Sequence, residues 1–262
     1  MDLGLQDKVA LVTAAGKGIG LAVGRRLAAE GATVALSSRN ADGLKAAAGE
    51  LGGRVGQVGV FPADLSDQQA TADLVDEVVA AHGRLDILVV NTPGPAIKPF
   101  LDTTVDDWAG AYDLLVRPAV QLAHAAARHM VEQESGSIVF LTSTWVKQPA
   151  PGGVLSAAMR SVLSALSQQM SLELAPRGVR VNQLMPGATG TDRMTSIVAA
   201  KAAAHGTTPD EEIAHVVRDI PVGRWAEPEE IADTVAFLAS PLSAFTTGSA
   251  WHIDGGAVRS TL

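Results

Sequence analysis

The chain has 262 residues, 47% of them hydrophobic and 4% aromatic, with a formal net charge of -8. That length suits one large α/β domain with a real core. The acidic balance, without any basic block, argues against nucleic acid or an anionic membrane surface as partner. With no cysteine in the chain, disulfides, thiolate metal sites and cysteine nucleophiles are excluded.

Apolar runs alternate with longer amphipathic stretches along the sequence. Val9 to Thr13 is expected as a buried strand, Ile19 to Glu30 as a helix, Thr33 to Ser37 as a strand and Asn40 to Leu51 as a helix. A strand from Val55 to Phe61, a helix from Asp67 to Ala81 and a strand from Leu85 to Asn91 follow. A long helix spans about Val105 to Glu132, with Pro118 as an expected kink. Next come a strand from Ser137 to Ser143, a helix from about Gly153 to Ala175 and a strand from Val179 to Met185. A helix from Glu227 to Ser240 and a strand at Ala250 to Ile253 close the pattern. Such alternation implies right-handed β-α-β units, hence a doubly wound parallel sheet in a single domain over residues 1–262. The one long irregular stretch, about Gly187 to Trp225, is expected to be a lid or substrate loop centred on residues 190–222. The first residues lack a basic stretch followed by an apolar run, and no apolar run reaches membrane-spanning length. A soluble, cytoplasmic protein with no membrane partner is therefore expected.

The first strand runs through Thr13, Ala14, Gly16, Lys17, Gly18, Ile19 and Gly20 into the first helix. Glycines let a phosphate approach the backbone, and the helix start supplies N–H donors and partial positive charge. Placed between a first strand and a first helix, this loop points to a dinucleotide. The second strand ends in Ser38, Arg39 and Asn40. An acid at this place suits NAD, whereas an arginine suits the 2′-phosphate of NADP. Lys17 adds a second cation, so NADP(H) is the expected cofactor.

These residues, with several later motifs, resemble the short-chain dehydrogenase/reductase family, in its β-ketoacyl-carrier-protein-reductase-like branch. Thr13 to Gly20 follows the family's phosphate loop except that Ala14 replaces the first glycine. Asp64 and Leu65 resemble the family's adenine-contacting pair, and Asn91 and Thr92 fall in the altered motif after the fourth strand. Pro186, Gly187, Thr189 and Thr191 resemble the segment that binds the nicotinamide carboxamide. Pro221 to Trp225, Glu227 to Ala232 and Ile253 to Gly256 match the C-terminal third. The resemblance implies a Rossmann sheet of about seven strands and a homotetramer or homodimer.

The family's chemistry uses a serine, a tyrosine thirteen residues later and a lysine four beyond that. Ser143 aligns with the serine, but Ser156 and Arg160 stand at the other two places, and Leu115 stands where a helix asparagine is expected. Tyr112 is the only tyrosine. A serine hydroxyl is shorter and far less acidic than a phenol, and arginine stays protonated. The expected catalytic set is therefore Ser143, Ser156 and Arg160, with Arg160 also a candidate for holding the cofactor's ribose.

Lys147 and Tyr112 are candidate proton sources, although the first reads more readily as a solvated loop charge and the second as a tyrosine packed at a helix–helix contact. Lys98 and Trp145 are candidates for the substrate mouth, and Asp106 and Asp107 favour the positive end of the long helix. His124 and His129 have no second ligand at metal spacing, so no metal is expected. Three functions remain open. One is an atypical NADP(H)-dependent oxidoreductase acting on a small carbonyl or hydroxyl substrate. Another is a lyase or isomerase on the same scaffold. The last is a catalytically silent subunit in a mixed oligomer with an active relative.

Overall fold

The computed structural model describes residues 1–51 and 57–260. Its strands are β1 (Val9–Val12), β2 (Thr33–Leu36), β3 (Val58–Val60), β4 (Ile87–Val90), β5 (Gly136–Leu141), β6 (Val179–Pro186) and β7 (Ala250–Ile253). They form one seven-stranded sheet in the order β3-β2-β1-β4-β5-β6-β7, and every pairing is parallel. Of the strand expected from Val55, Val55 and Gly56 lie outside the described residues.

The central strands are buried on both faces, which is why they are written as unbroken apolar runs. Alternation divides each run between two cores. Ala10, Val12, Ile87, Val89 and Val139 face a cluster shared with helices α1 (Gly18–Ala29), α2 (Ala41–Leu51) and α8 (Pro228–Ala239). Leu11, Leu88, Val90, Ile138 and Phe140 face the opposite cluster, built with α3 (Gln68–His82), α4 (Val105–Glu132) and α5 (Val154–Leu174). The helix expected around Pro118 runs through that proline without interruption. No helix among the described residues is long and apolar enough to cross a membrane.

The expectation for Gly187 to Trp225 needs correction, because the segment is not irregular throughout. It holds α6 (Asp192–His205) and α7 (Pro209–Arg218). Thr191 caps α6 by accepting from the Met194 N–H, and Thr208 with Glu211 forms a capping box on α7. Both carry local marks: α6 is alanine-rich, and Ile213, Val216 and Val217 share one face of α7. The buried carboxylate of Glu212 joins them, accepting from His205 Nδ1 at 2.9 Å and Thr207 Oγ1 at 2.8 Å.

At the amino end of the sheet, buried Asp86 accepts from Arg84 Nε (2.8 Å) and Nη2 (2.6 Å), Val9 N (3.0 Å) and Lys8 Nζ (3.3 Å). Burial alone would raise its pKa; the Arg84 and Val9 hydrogen bonds and the Lys8 charge outweigh that and hold it below the usual carboxylate value. Asp86→Asn is expected to lower stability at neutral pH by about 1.5–3 kcal/mol. A lowered folded pKa gives stability that is present above the unfolded pKa and lost as pH falls through the folded one. Urea unfolding across an acidic pH series should therefore show the wild type and the variant converging as Asp86 is protonated.

Candidate functional site

The order of the strands reverses direction at β1 and β4, which makes the crevice at their carboxyl ends the expected ligand position. The turn from β1 to α1 occupies it. A Cβ on Gly16 would sit 2.8 Å from Ser38 Oγ, and one on Gly20 would sit 2.5 Å from the Ala14 carbonyl oxygen. Gly18 opens α1 with φ +56°. Lys17 precedes α1 in extended backbone and places no side-chain cap on it, and the first turn has no acid. By contrast α3, α4, α6 and α7 each begin under a capping Asp or Thr side chain. The start of α1 thus keeps its N–H groups and positive potential for a ligand. Ile19 is half-buried and packs against the core shared by α1 and α8.

Thr13 and Asn91 fasten this turn to β4. Thr13 Oγ1 donates to the Asn91 carbonyl at 2.7 Å, and Asn91 Nδ2 donates to the Ala14 carbonyl at 3.4 Å. Ala14 lies in the left-handed region, at φ +46°. A side chain there costs roughly 1–2 kcal/mol, against ~0.5–1 kcal/mol of added chain entropy for glycine. Ala14→Gly is therefore expected to stabilise the protein by about 0.5–1 kcal/mol, seen as a rise of roughly 1–4 °C in Tm. An unchanged or lower midpoint in differential scanning calorimetry would refute the strain.

Beyond β2, Arg39 is exposed and forms no ion pair among the described residues. Lys17 is engaged instead, with Nζ 3.4 Å from Asp192 at the start of α6. Asn40 is also used locally, its Oδ1 accepting from the Gly43 N–H at 3.0 Å. Asp64 accepts from the backbone N–H and hydroxyl of Ser66. These bonds, led by the backbone one and aided by the Arg39 charge, outweigh burial and lower its pKa. Leu65 is buried. The buried hydroxyls of Ser37 and Thr92, at the ends of β2 and β4, have no hydrogen-bond partner among the described residues. Two orphaned polar atoms along this edge are what a polar ligand lying there would satisfy.

After β5, Ser143 Oγ accepts from the Trp145 N–H at 3.2 Å. Arg160, on α5, is 7% exposed. Its Nη1 donates to the Leu141 carbonyl at 2.9 Å and its Nε to Ser156 Oγ at 3.3 Å. Ser143, Ser156 and Arg160 thus gather where β5 meets α5, with the hydroxyl of Ser156 engaged by the arginine. Burial, and then the charge of Arg193, lower the Arg160 pKa to about 10. After β6, Thr189 is buried and donates to the Gly187 carbonyl, Thr191 caps α6, and the Pro186 carbonyl accepts from Thr144 Oγ1. A cavity of about 200 Å³ opens beside these segments, lined by Trp145, Gln148, Ala188, Val216 and Ile220 among others.

The remaining candidates lie apart from this gathering. Tyr112 is on an exposed part of α4 with the Arg117 guanidinium 5.6 Å over its ring, so it is neither in the site nor a packing tyrosine. Lys98 pairs with Asp107 at 2.8 Å, and Asp107 completes the capping box of α4. Lys147 is exposed and lies near His252, whose pKa is lowered by burial and then by that lysine. His129 bonds Asp76 across α3 and α4. The residue that sequence reasoning misses is Arg193, in the first turn of α6, with Nη2 donating to the Pro95 carbonyl at 2.8 Å. A faint signal exists: a cation in a first helical turn opposes the helix dipole.

The sheet order and the glycine turn define a Rossmann-type α/β protein. Residues 13–258 match the family model described as Enoyl-(Acyl carrier protein) reductase, and the chain belongs to the short-chain dehydrogenase/reductase family. It is 34% identical over 253 residues to an uncharacterized oxidoreductase of Mycobacterium tuberculosis, covering 96% of this chain and 92% of that protein. Among solved structures it resembles the L-sorbose reductase of Gluconobacter frateurii complexed with NADPH and L-sorbose. That match has a TM-score of 0.94 and 28% identity, and covers 99% of this chain and 100% of the other. It also resembles a 7α-hydroxysteroid dehydrogenase complexed with NADH and 7-oxo glycochenodeoxycholic acid, with a TM-score of 0.89 and 29% identity over 100% of this chain and 98% of the other. These neighbours are oxidoreductases that bind both kinds of nicotinamide coenzyme.

Proposed function

We propose that this chain is an NADP(H)-dependent oxidoreductase of a small carbonyl or hydroxyl substrate, with a non-standard proton donor. It acts as one cofactor-binding unit whose segment over residues 190–222 covers the substrate. The observation that carries the reading is the uncapped start of α1 beside Gly16, Gly18 and Gly20, with the unpaired Arg39 beyond β2. The cradle fits a pyrophosphate at α1 and an extra phosphate at Arg39. The cofactor supplies or accepts a hydride at the substrate carbon.

Each residue then has a physical role. Gly16 to Gly20 offer backbone donors to phosphate. Arg39 faces the 2′-phosphate, and Asp64 with Leu65 borders the adenine. The free hydroxyl of Thr92 and the segment from Pro186 to Thr191 hold the nicotinamide end. Ser143 donates to the substrate oxygen, which polarises it. Arg160 is held by Leu141 and Ser156 with a donor to spare, and it places positive charge beside the reacting groups. Neither Ser156 nor Arg160 passes a proton readily near neutral pH, so solvent supplies the proton that balances hydride transfer.

Fluorescence titration with NADPH, followed by ketone-dependent loss of nicotinamide absorbance, tests the reading. Binding with turnover supports it, and no affinity for either coenzyme sinks it. A second reading, a silent cofactor-binding subunit, is favoured by the engagement of the Ser156 hydroxyl and by the exposure of the only tyrosine, Tyr112, beneath Arg117. It predicts binding without turnover and activity gained on mixing with an active relative. Membership of the family supports a homodimer or homotetramer, which light scattering would detect.

A further inference from the structure

We infer that the cavity beside Trp145 selects the substrate: a neutral carbonyl compound whose apolar group is about the size of a single ring, with the Trp145 indole as the wall that limits it. The inference rests on the oxidoreductase reading above and adds the substrate class.

The cavity lies between the segments that follow β5 and β6 and the end of α7. Thr144 and Trp145 line it from the first, Gly187 and Ala188 from the second, and Val216 and Ile220 from the third. The Trp145 N–H donates to Ser143 Oγ at 3.2 Å, which fastens the serine to the cavity wall. That bond uses Ser143 Oγ as an acceptor, and its hydroxyl donates to nothing among the described residues. A carbonyl oxygen accepting from Ser143 leaves the rest of its molecule facing this space.

The lining is mostly apolar, with Trp145, Pro149, Ala188, Val216, Ile220 and Val258. Its amide is already engaged. Gln148 Nε2 donates to the Ala257 carbonyl at 3.3 Å, and Oε1 accepts from the Arg259 N–H at 3.0 Å. Among the described residues no lysine, arginine or histidine lines the cavity, and its one charged residue is Asp219, which is exposed and 3.8 Å from Arg259. An anionic group would enter without a cation to meet it and would be repelled by Asp219. A cation would find Asp219 already paired and would lose its water against apolar walls. A neutral apolar group gains on both counts, shedding unfavourable hydration and making contacts.

The walls are pinned, so the volume acts as a limit. The Trp145 ring lies against Gly153, where a Cβ would sit 2.5 Å from Cε3 and 2.7 Å from Cζ3. The wall at Ala257 and Val258 is clasped by Gln148 and by Asp254, whose Oδ2 accepts from the Val258 N–H at 2.7 Å. A dry apolar cavity of about 150 Å³ holds one benzene, whereas sites for drug-sized ligands measure roughly 300–1,000 Å³. At about 200 Å³ this cavity takes a single ring or a short branched chain, and not a fused ring system or a long acyl chain. Trp145 is the largest side chain of the lining, so it sets that limit.

The test is calorimetric titration of the full chain, with and without saturating NADPH, using four probes. 5-Methylhexan-2-one is expected to bind at least about tenfold more tightly than levulinate, which has the same shape with a carboxylate in place of the isopropyl group. Acetophenone is expected to bind at least about tenfold more tightly than 2-acetylnaphthalene. Trp145→Ala should reverse the second order, weakening acetophenone about tenfold and admitting the naphthyl ketone, while Trp145→Phe keeps the wild-type order. A purely structural role for Trp145 would weaken all probes alike and reverse nothing. Should Trp145→Ala fail to fold, Val216→Phe narrows the same cavity from α7 and is expected to weaken acetophenone at least about tenfold. Levulinate or the naphthyl ketone binding the wild type as tightly as its counterpart overturns the inference. So does an unchanged order in folded Trp145→Ala, an unchanged acetophenone affinity in Val216→Phe, or binding of no probe under either condition. Failure of NADPH to bind overturns the oxidoreductase reading instead, and the titrations without NADPH still decide what the cavity takes.

Discussion

The double variant Ser156→Tyr with Arg160→Lys is expected to raise NADPH-dependent ketone reduction by roughly 10²- to 10⁴-fold, the usual contribution of a positioned acid. Ser156 lies in the first turn of α5 and is not fully buried, so a phenol has room to extend toward Ser143. The phenol titrates near pH 10 in isolation, and a neighbouring ammonium lowers that value. Arg160→Lys also releases the Ser156 position from the Nε contact of 3.3 Å. The single variant Arg160→Lys should show no gain, since it supplies no acid at the substrate oxygen. Steady-state consumption of NADPH over a panel of ketones measures the effect. A folded double variant that binds NADPH but turns over no faster would show that the lost phenol is not what limits this site.

Arg39→Ala is expected to weaken NADPH by about ten- to a hundredfold while leaving NADH nearly unchanged. A hydrogen bond to a charged group is worth roughly 1.5–3 kcal/mol, and each 1.4 kcal/mol is about a factor of ten. On the proposed reading this discrimination falls to one residue where two cations stand in the sequence. Lys17 turns to Asp192 at 3.4 Å, whereas Arg39 has no carboxylate in ion-pair contact among the described residues. Because Arg39 is exposed, salt screens its field, and the gap between the coenzymes should narrow as ionic strength rises. Parallel fluorescence titrations with NADPH and NADH decide the matter. Equal losses for the two coenzymes would place the 2′-phosphate elsewhere.

How much of this was legible in advance varies with the range of the interaction. The glycine-rich turn between β1 and α1 was legible because its signal is local: a strand, a run of glycines and a helix in sequence. The substitution of Ala14 within it was visible too, but its left-handed φ of +46° belongs to the folded turn. Helix α7 has local marks, the Thr208–Glu211 capping box and an apolar face of Ile213, Val216 and Val217, but only the fold shows that buried Glu212 ties it to His205 and Thr207. Tyr112 was misjudged because helical spacing relative to Leu115 does not say which side of a long helix is covered. Leu115 is buried and Tyr112 is 44% exposed.

By itself, then, the order of apolar runs and breakers determined the alternation of strands and helices, the parallel sheet and the place of the glycine turn, because these follow from periodicity and turn chemistry between near neighbours. Only the tertiary structure decided which cations are spoken for. Lys17 finds Asp192 and Lys98 finds Asp107, while buried Arg160 turns to the Leu141 carbonyl and Ser156 with no carboxylate in ion-pair distance among the described residues. The reason is that charge pairing falls off steeply with distance and is strengthened by burial. Both depend on which loops the sheet gathers at one edge, and nothing in the spacing of residues along the chain encodes that directly.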